Sequence, residues 1–487
     1  MTQTRRHLLA GFAAAALTPS ARAAEAPSDA AIVEAAFRAL HPGLLRYNSP
    51  AELDRRFGRL RRDMAAARTP PAQWLALTSF TAALRCGHTF VNGANQEGAA
   101  LAFFEGRRDR LPFAWRWLGG GMVVTDPGPA EGLRPGDTVV RIGPRRTADL
   151  LAPLMALAAA DGASDGKRRR LSEVNRRELW PLPDVALPIL APEAFGGETV
   201  ALAVRGADGR VRAAQAPLLT RAERVALRGS DAIAPRDGPA WRVDVRPDRT
   251  RLITMPTWAV YNSRWDWAGW LDAQADLAID TGAPGIVLDL RGNAGGTECG
   301  DHLLSRLVDR EIVRADALRY VRYRSTPPEL DRYLTTWDRS FRDWGDAARG
   351  PDGRGFYRLT RWDEDARGTV IRPRGRRFGG RLAVLIDGAC SSATFQFAQT
   401  VQRHGLGVLV GEPTGGNRRG INGGAFFFLR LPQSGFAVDL PLVATFPTTP
   451  QPDAGILPDV AATPTPGDLA AGRDRQLEAA LAAVRGR

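Results

Sequence analysis

The sequence predicts a multi-domain α/β protein, and three features of it carry that expectation. Residues 27–85 show helical periodicity interrupted at prolines. Residues 97–225 change to short β runs separated by turns. From about residue 241, apolar runs of strand length alternate with helical patterns, the texture of an α/β core. At 487 residues the chain exceeds what one hydrophobic core usually covers, so more than one domain is expected. An apolar fraction of 44% with 24% charged residues is ordinary for a globular protein. No internal run approaches the ~20 apolar residues needed to span a bilayer.

The chain begins with Arg5 and Arg6, an apolar stretch to Leu17, and then Ala21, Arg22 and Ala23. Paired arginines, a short apolar segment and an A-x-A-like site form a twin-arginine export signal over residues 1–23. The mature protein is therefore expected in the periplasm or exported, with no integral membrane segment. Removing residues 1–23 takes three arginines and no acid from a net charge of +13, leaving +10. That charge does not imply nucleic acid, because the arginines are scattered and the dense runs at 167–170 and 372–377 lack interleaved aromatics. Lysine occurs once, at Lys167, within an exposed-looking charged run. The three cysteines, Cys86, Cys299 and Cys390, permit at most one disulfide and form no CxxC site. They are expected as small buried residues, with one bridging pair as the alternative.

A helical domain is expected over 27–95, with helices at about 30–40, 51–67 and 71–84 separated by Pro42, Pro50 and Pro70–Pro71. It ends in RCGHTFV, a glycine-to-β transition that puts His88 on a turn or strand edge. In the β-rich segment 97–225, GLRPGDTVVRIG (132–143) followed by a helix at about 147–160 resembles the core of a PDZ domain. In that fold a strand–helix groove takes an extended peptide. Residues 239–465 are expected as the α/β core, with strands at 252–255 and 285–291 and a helix at 265–279. Residues 315–380 interrupt it with irregular Trp/Tyr/Arg-rich sequence and are expected as a lid-like insert. Two β runs (425–431 and 436–446) and a terminal helix within 466–487 complete the chain.

Two pieces of the core carry chemistry. RGNAGG at 291–296 directly follows a buried strand and fits neither dinucleotide nor P-loop spacing, so nucleotide binding is not expected. Its glycines can still form an anion pocket from backbone N–H groups. At 382–386 an apolar strand closes at Asp387–Gly388, and CSSA (390–393) leads into a helix to about His404. A small hydroxyl residue between strand and helix is either a helix cap or a nucleophile beside free backbone N–H groups.

The strings LDLRGNAGG, IDGACSSATFQFA and VGEPTGGN resemble the three signatures of the S41 peptidases, the tail-specific or C-terminal processing proteases and their tricorn-core relatives. The resemblance spans roughly residues 85–465 and implies a ClpP/crotonase-like ββα core with a nucleophilic serine and no metal or cofactor. Matching the family's serine motif to Ser392, Ala393, Thr394 and Phe395 makes Ser392 the nucleophile rather than Ser391. It makes backbone N–H groups of Ala393 and of Gly295 or Gly296 the oxyanion donors, and implies substrate contacts at Gly415, Gly416 and Asn417. The processing proteases carry a general-base lysine about 25 residues after the serine, where this chain has Asn417. The tricorn-like branch uses a histidine from an N-terminal motif, which Gly87-His88-Thr89 resembles, so the resemblance makes His88 the base. His41 is a weaker candidate, while His302 and His404 read as structural. An acid for His88 is expected from the C-terminal segment, Asp453 or Asp459. Where tricorn-like members have a serine before the histidine, this chain has Gly87. The expected function is an exported serine endopeptidase acting on peptides or unfolded proteins. The alternative is an inactive peptide-binding member, and the oligomeric state stays open.

Overall fold

Each N-terminal helix starts where the sequence supplies a cap. α1 (Asp29–Leu40) is capped by Ser28, α2 (Pro50–Ala66) by Ser49, and α3 (Pro70–Ala83) by Thr69. Ser49 and Glu52 form a reciprocal capping box, and proline in the first turn of α2 and α3 needs no N–H partner. The helices bury Phe37, Phe57 and Phe80; the Phe80 ring packs tilted against the other two at centroid separations of 5.8 Å and 5.1 Å. The computed structural model describes residues 27–175, 177–227, 241–261, 263–314, 317–363 and 369–486. The expected export signal, 1–23, lies outside them.

The next segment forms an antiparallel sheet of β1 (Ala114–Leu118), β2 (Gly121–Asp126), β3 (Thr138–Ile142), β4 (Thr199–Arg205) and β5 (Val211–Pro217), in that order. The helix expected at 147–160 is shorter, a 3₁₀ turn at Thr147–Asp149 and then Leu151–Leu157. Backbone extension at Ala158 ends it, and a turn with Gly162 at φ +49° leads into a second helix, Asp165–Leu171, that carries Lys167.

The core begins with β6 (Arg242–Val245), β7 (Arg251–Thr254), β8 (Gly285–Asp289) and β9 (Ala317–Val321). It continues through β10 (Arg381–Ile386), β11 (Val408–Gly411), β12 (Asn422–Arg430), β13 (Ala437–Pro447) and β14 (Val460–Ala461). One sheet has the order β14-β11-β10-β8-β7-β6, parallel throughout except for the β6 edge. Its middle strands are apolar on both faces: Ile286 and Val384 pack on one side, Val287 and Ala383 on the other. Leu385 pairs with Asp289 and Ile386 with Gly411, so β8, β10 and β11 end level. Their following loops (290–296, 387–392 and 412–420) emerge together at the carboxyl edge, where parallel sheets form their sites.

A third sheet places β12, β13 and β9 side by side, flanked by Leu334–Thr335 on one edge and Tyr357–Leu359 on the other. The expected lid-like insert is thus corrected. Residues 317–321 and 334–335 pair with the β12–β13 hairpin as sheet strands, and Tyr357–Leu359 extends the sheet by pairing with β9 and with Ala348–Arg349. The helical region, the first sheet and this third sheet share one continuous apolar core, which includes Phe37, Trp115 and Phe427. The terminal helix is split at Gly472 (φ +64°) into Pro466–Ala470 and Arg475–Arg485. Among the described residues no helix is long and apolar enough to cross a membrane.

Candidate active site

The loops after β8 and β10 are sewn together. Asp387 accepts the Gly292 N–H at 3.1 Å, Cys390 Sγ donates to the Leu290 carbonyl at 3.1 Å, and Ser391 Oγ to the Ala294 carbonyl at 3.3 Å. The Thr394 hydroxyl lies 2.8 Å from the Asn293 carbonyl. These bonds separate the two candidate serines. Ser391 is buried and its hydroxyl is spent on the neighbouring loop. Ser392 opens the helix Ala393–Arg403 at φ +54°, ψ −125°, with no side-chain capping bond. A cap residue ordinarily has extended backbone and an oxygen on a first-turn N–H, so capping does not describe Ser392. A non-glycine residue held at positive φ with its hydroxyl unused is the geometry of a nucleophile on a strained strand-to-helix turn.

Gly295 faces this residue. A Cβ built on it would fall 2.8 Å from Ser392 Cβ and 2.9 Å from the Ala393 nitrogen. Of the three expected oxyanion donors, Gly295 is removed, because its N–H donates to Asn293 Oδ1 at 2.9 Å. The N–H groups of Ala393 and Gly296 make no hydrogen bond among the described residues. Gly296 must be glycine, for a Cβ there would lie 2.3 Å from the Trp258 carbonyl.

His88 lies on the segment after α3, its ring 6.0 Å from that of Phe426 on β12. Burial lowers its pKa to about 4; Asp161 acts upward and Lys167 further downward. The ring is therefore neutral at pH 7, the form a base requires. Its Nδ1 is buried without a hydrogen-bond partner. The other histidines are engaged. His41 Nδ1 accepts the Gly43 N–H at 3.0 Å, which puts its proton on Nε2, 2.9 Å from Thr89 Oγ1. His41, the weaker candidate base, is thus a buried brace for the residue after His88. His404 Nε2 is 2.9 Å from the Val313 carbonyl, and His302 stands between Asp272 and Arg374.

No hydrogen bond joins His88 to Ser392 among the described residues. The two motifs converge through Lys167, and here the sequence reading needs correction. The only lysine is 6% exposed, not part of a solvated run. Its backbone lies against Gly388, its stem against Gly415 and its ammonium against Gly87, with built-Cβ distances of 3.2, 3.0 and 3.0 Å. Gly415 in turn donates its N–H to the Cys390 carbonyl at 2.8 Å, two residues before Ser392.

Gly415, Gly416 and Asn417, expected to touch substrate, clamp this junction, and Asn417 also lines the cavity beside Phe395 and Ile421. The Gly416 carbonyl accepts from Ser164, and the fully buried Asn417 donates to Asp453 at 2.7 Å. Asp453 Oδ1 also accepts the Ala163 N–H at 2.7 Å, so its hydrogen bonds hold the 161–163 turn; none reaches His88 among the described residues. Asp459 accepts from Gln402 and from the Leu409 N–H, bracing β11. The carboxylate whose charge acts on His88 is Asp161, which sequence reasoning missed; it raises the imidazole pKa without an ion pair to the ring within 4.0 Å among the described residues. Its sequence signal, an Asp-Gly turn, is shared with ordinary loops. All three cysteines are free and buried. Among the described residues no group of His, Cys, Asp or Glu could hold a metal ion.

Residues 250–461 match Peptidase family S41. Among solved structures, mature CPAF complexed with lactacystin is 14% identical over 94% of this chain and 98% of that one, with a TM-score of 0.59. Mature CPAF is 14% identical over 91% and 93%, with a TM-score of 0.60. The photosystem II D1 C-terminal processing protease is 18% identical over 91% and 94%, at 0.42. At these identities the likeness to CPAF is one of fold. No curated protein matches.

Proposed function

We propose that the chain, whose residues 250–461 match Peptidase family S41, is an exported serine endopeptidase in which Ser392 is the nucleophile and His88 the general base. The observation that carries this reading is the backbone of Ser392, at φ +54° with no capping bond, beside a glycine loop. In the reaction Ser392 Oγ attacks the scissile carbonyl while its proton passes to the neutral His88 imidazole. The Ala393 and Gly296 N–H groups hold the oxyanion. The imidazolium then protonates the leaving amine; water attacks the acyl-enzyme, giving its proton to His88, which returns it to Ser392 Oγ as the acid product leaves. The remaining histidines among the described residues are occupied elsewhere, which supports His88 over His41.

The substrate is a peptide or unfolded protein. A cavity of about 470 Å³ begins at the first turn after Ser392, lined by Phe395, Gln396, Gln399, Ile421 and Gln451, and gives an extended chain a place to lie. The β1–β5 sheet with its short helices is the PDZ-like peptide-holding element in this reading. The sequence of residues 1–23 supplies the export step through a twin-arginine signal.

A fluorophosphonate probe tests the nucleophile. It should label the wild type and the Ser391→Ala variant but not Ser392→Ala, and label appearing only on Ser391 would overturn the assignment. His88→Ala should abolish peptide hydrolysis in a folded protein. The second reading, a peptide-binding member without turnover, is favoured by the missing His88–Ser392 hydrogen bond. It gains ground if the wild type binds peptide and resists the probe.

A further inference from the structure

Beside His88 the chain leaves a notch, because Gly87 has no side chain. A Cβ built there would meet Asp161 Oδ2 at 2.6 Å and Lys167 Nζ at 3.0 Å. The notch is filled from elsewhere in the sequence, by two charged groups on the segment that follows the first sheet's early strands. Asp161 Oδ1 accepts the Gly87 N–H at 2.9 Å, which fixes the carboxylate to the residue preceding His88. Its second oxygen, Oδ2, is buried without a hydrogen-bond partner, and so is His88 Nδ1; no ion pair within 4.0 Å joins the two among the described residues, so the carboxylate acts on the ring by its field. Buried polar atoms without partners are rare, and two such atoms beside one glycine need an explanation. One is a carboxylate oxygen that can only accept; the other is a ring nitrogen that can donate.

We propose that Asp161 is the carboxylate that keeps His88 protonated on Nδ1, leaving Nε2 free for the Ser392 proton, with Lys167 as the counter-charge that limits its pull. The proposal rests on His88 being the base. As Ser392 gives up its proton, His88 becomes an imidazolium, and the Asp161 carboxylate stabilises that charge in a buried setting. No atom of Asp161 takes the proton. The expected acid, Asp453, serves this arrangement at one remove, since it holds the Ala163 N–H in the same turn.

Lys167 suits its place for a steric reason. Its stem lies against Gly415 and its ammonium against Gly87, two positions where a side chain would claim the same space. Its ammonium forms no ion pair within 4.0 Å among the described residues; burial lowers its pKa and the Asp161 charge opposes that, so it acts on the site by its field. The charged groups facing the ring are Asp161 and Lys167, while β12 presents only the neutral Gly423 and Phe426. Asp161 itself faces Arg46 and Tyr47 from the α1–α2 connection, and Cys86, whose thiol burial holds protonated.

The test is a pH–rate profile of the mature protein on a quenched fluorescent peptide that the wild type cleaves. Asp161→Asn keeps the oxygen that accepts the Gly87 N–H and removes the charge. It should lower kcat by at least about 100-fold with KM within about twofold, the pattern of a lost orienting carboxylate. Because Asp161 raises the His88 pKa and Lys167 lowers it, the acid limb of kcat/KM should move to lower pH in Asp161→Asn and to higher pH in Lys167→Met. Opposite shifts identify charge; a merely structural role moves neither limb. If Asp161→Asn does not fold, Lys167→Met decides alone, and an unmoved limb overturns the proposal. Asp161→Asn within about threefold of wild type at every pH, with Ser392→Ala dead, also overturns it and leaves the proposed function standing. A wild type that neither cleaves peptide nor reacts with the probe removes the proposed function itself.

Discussion

Replacing Ser392 by glycine should stabilise the protein while abolishing its activity. The side chain sits on a backbone at φ +54°, ψ −125°, a region that glycine enters freely and other residues enter at a cost of about 1–3 kcal/mol. The hydroxyl makes no capping bond, so removing it forfeits no hydrogen bond of the helix that follows. Against the strain relief stands the greater freedom of glycine in the unfolded chain, about 0.5–1 kcal/mol. The net gain is about 1 kcal/mol. Ser392→Ala serves as the control, since it deletes the same hydroxyl and keeps the Cβ that makes the backbone unfavourable. The assay is urea unfolding of both variants and the wild type, followed by tryptophan fluorescence. Trp258 is the one of the twelve tryptophans that reports on this turn, because its carbonyl contacts Gly296 and its ring lies 5.5 Å from Phe397 on the Ser392 helix. Temperature is the poorer variable: at about 2 cal/mol/K per residue, a chain this long moves its midpoint only about 1 °C per kcal/mol. Glycine should unfold at higher urea than alanine, with an unchanged slope. If alanine proves equal to or more stable than glycine, the strained-turn argument fails, and with it the physical basis for choosing Ser392.

Two further outcomes follow from neighbouring geometry. Gly295→Ala would place a methyl 2.7 Å from the Ser391 carbonyl at a backbone φ of +98°. It should cost about 1–3 kcal/mol in stability and about 10²–10³ in kcat, checked by denaturation and peptide cleavage; unaltered turnover would remove this loop from the oxyanion site. Asp439, on β13 beside Asn92 and Asn95, is raised by burial to about 6. A carboxyl raised above its unfolded value of roughly 4 favours folding most below that value and loses the contribution as pH rises through about 6, which amounts to about 3 kcal/mol. The stability difference between the wild type and Asp439→Asn should therefore change between pH 4 and 7, and a difference independent of pH would refute the shift.

Much of this arrangement is legible in the sequence because it is local. Ser49 and Glu52 announce α2 three residues apart, and the apolar run from Leu382 to Ile386 can only be a buried strand. The choice of Ser392 over Ser391 is also local, resting on motif register and then on backbone dihedrals. What the sequence conceals is long-range. Lys167 reads as one member of a charged helix, and only its packing against glycines from three distant segments shows that it is buried. Asp161 is hidden likewise: its partner is the Gly87 N–H, 74 positions earlier, and nothing in an Asp-Gly pair reveals that. The lid expected at 315–380 fails for a related reason. Short strands such as Tyr357–Leu359 carry too few residues for an alternating pattern to stand out before their cross-strand partners are known.

The shared hydrophobic interior of the helical region, the first sheet and the third sheet sets how the molecule can move. A hinge that swung the first sheet away would wet side chains such as Trp115 and Leu154, at about 25 cal/mol for every Å² uncovered. Rigid-body gating is thereby penalised, and any signal from a peptide held on that sheet has a shorter route. It runs along the turn bearing Asp161 and the helix bearing Lys167, both already seated in the catalytic neighbourhood. In this architecture the proposed peptide-holding sheet shares its interior with the helices before His88, and its link to the Ser392 loops, which pack in a separate core, is the 161–167 segment.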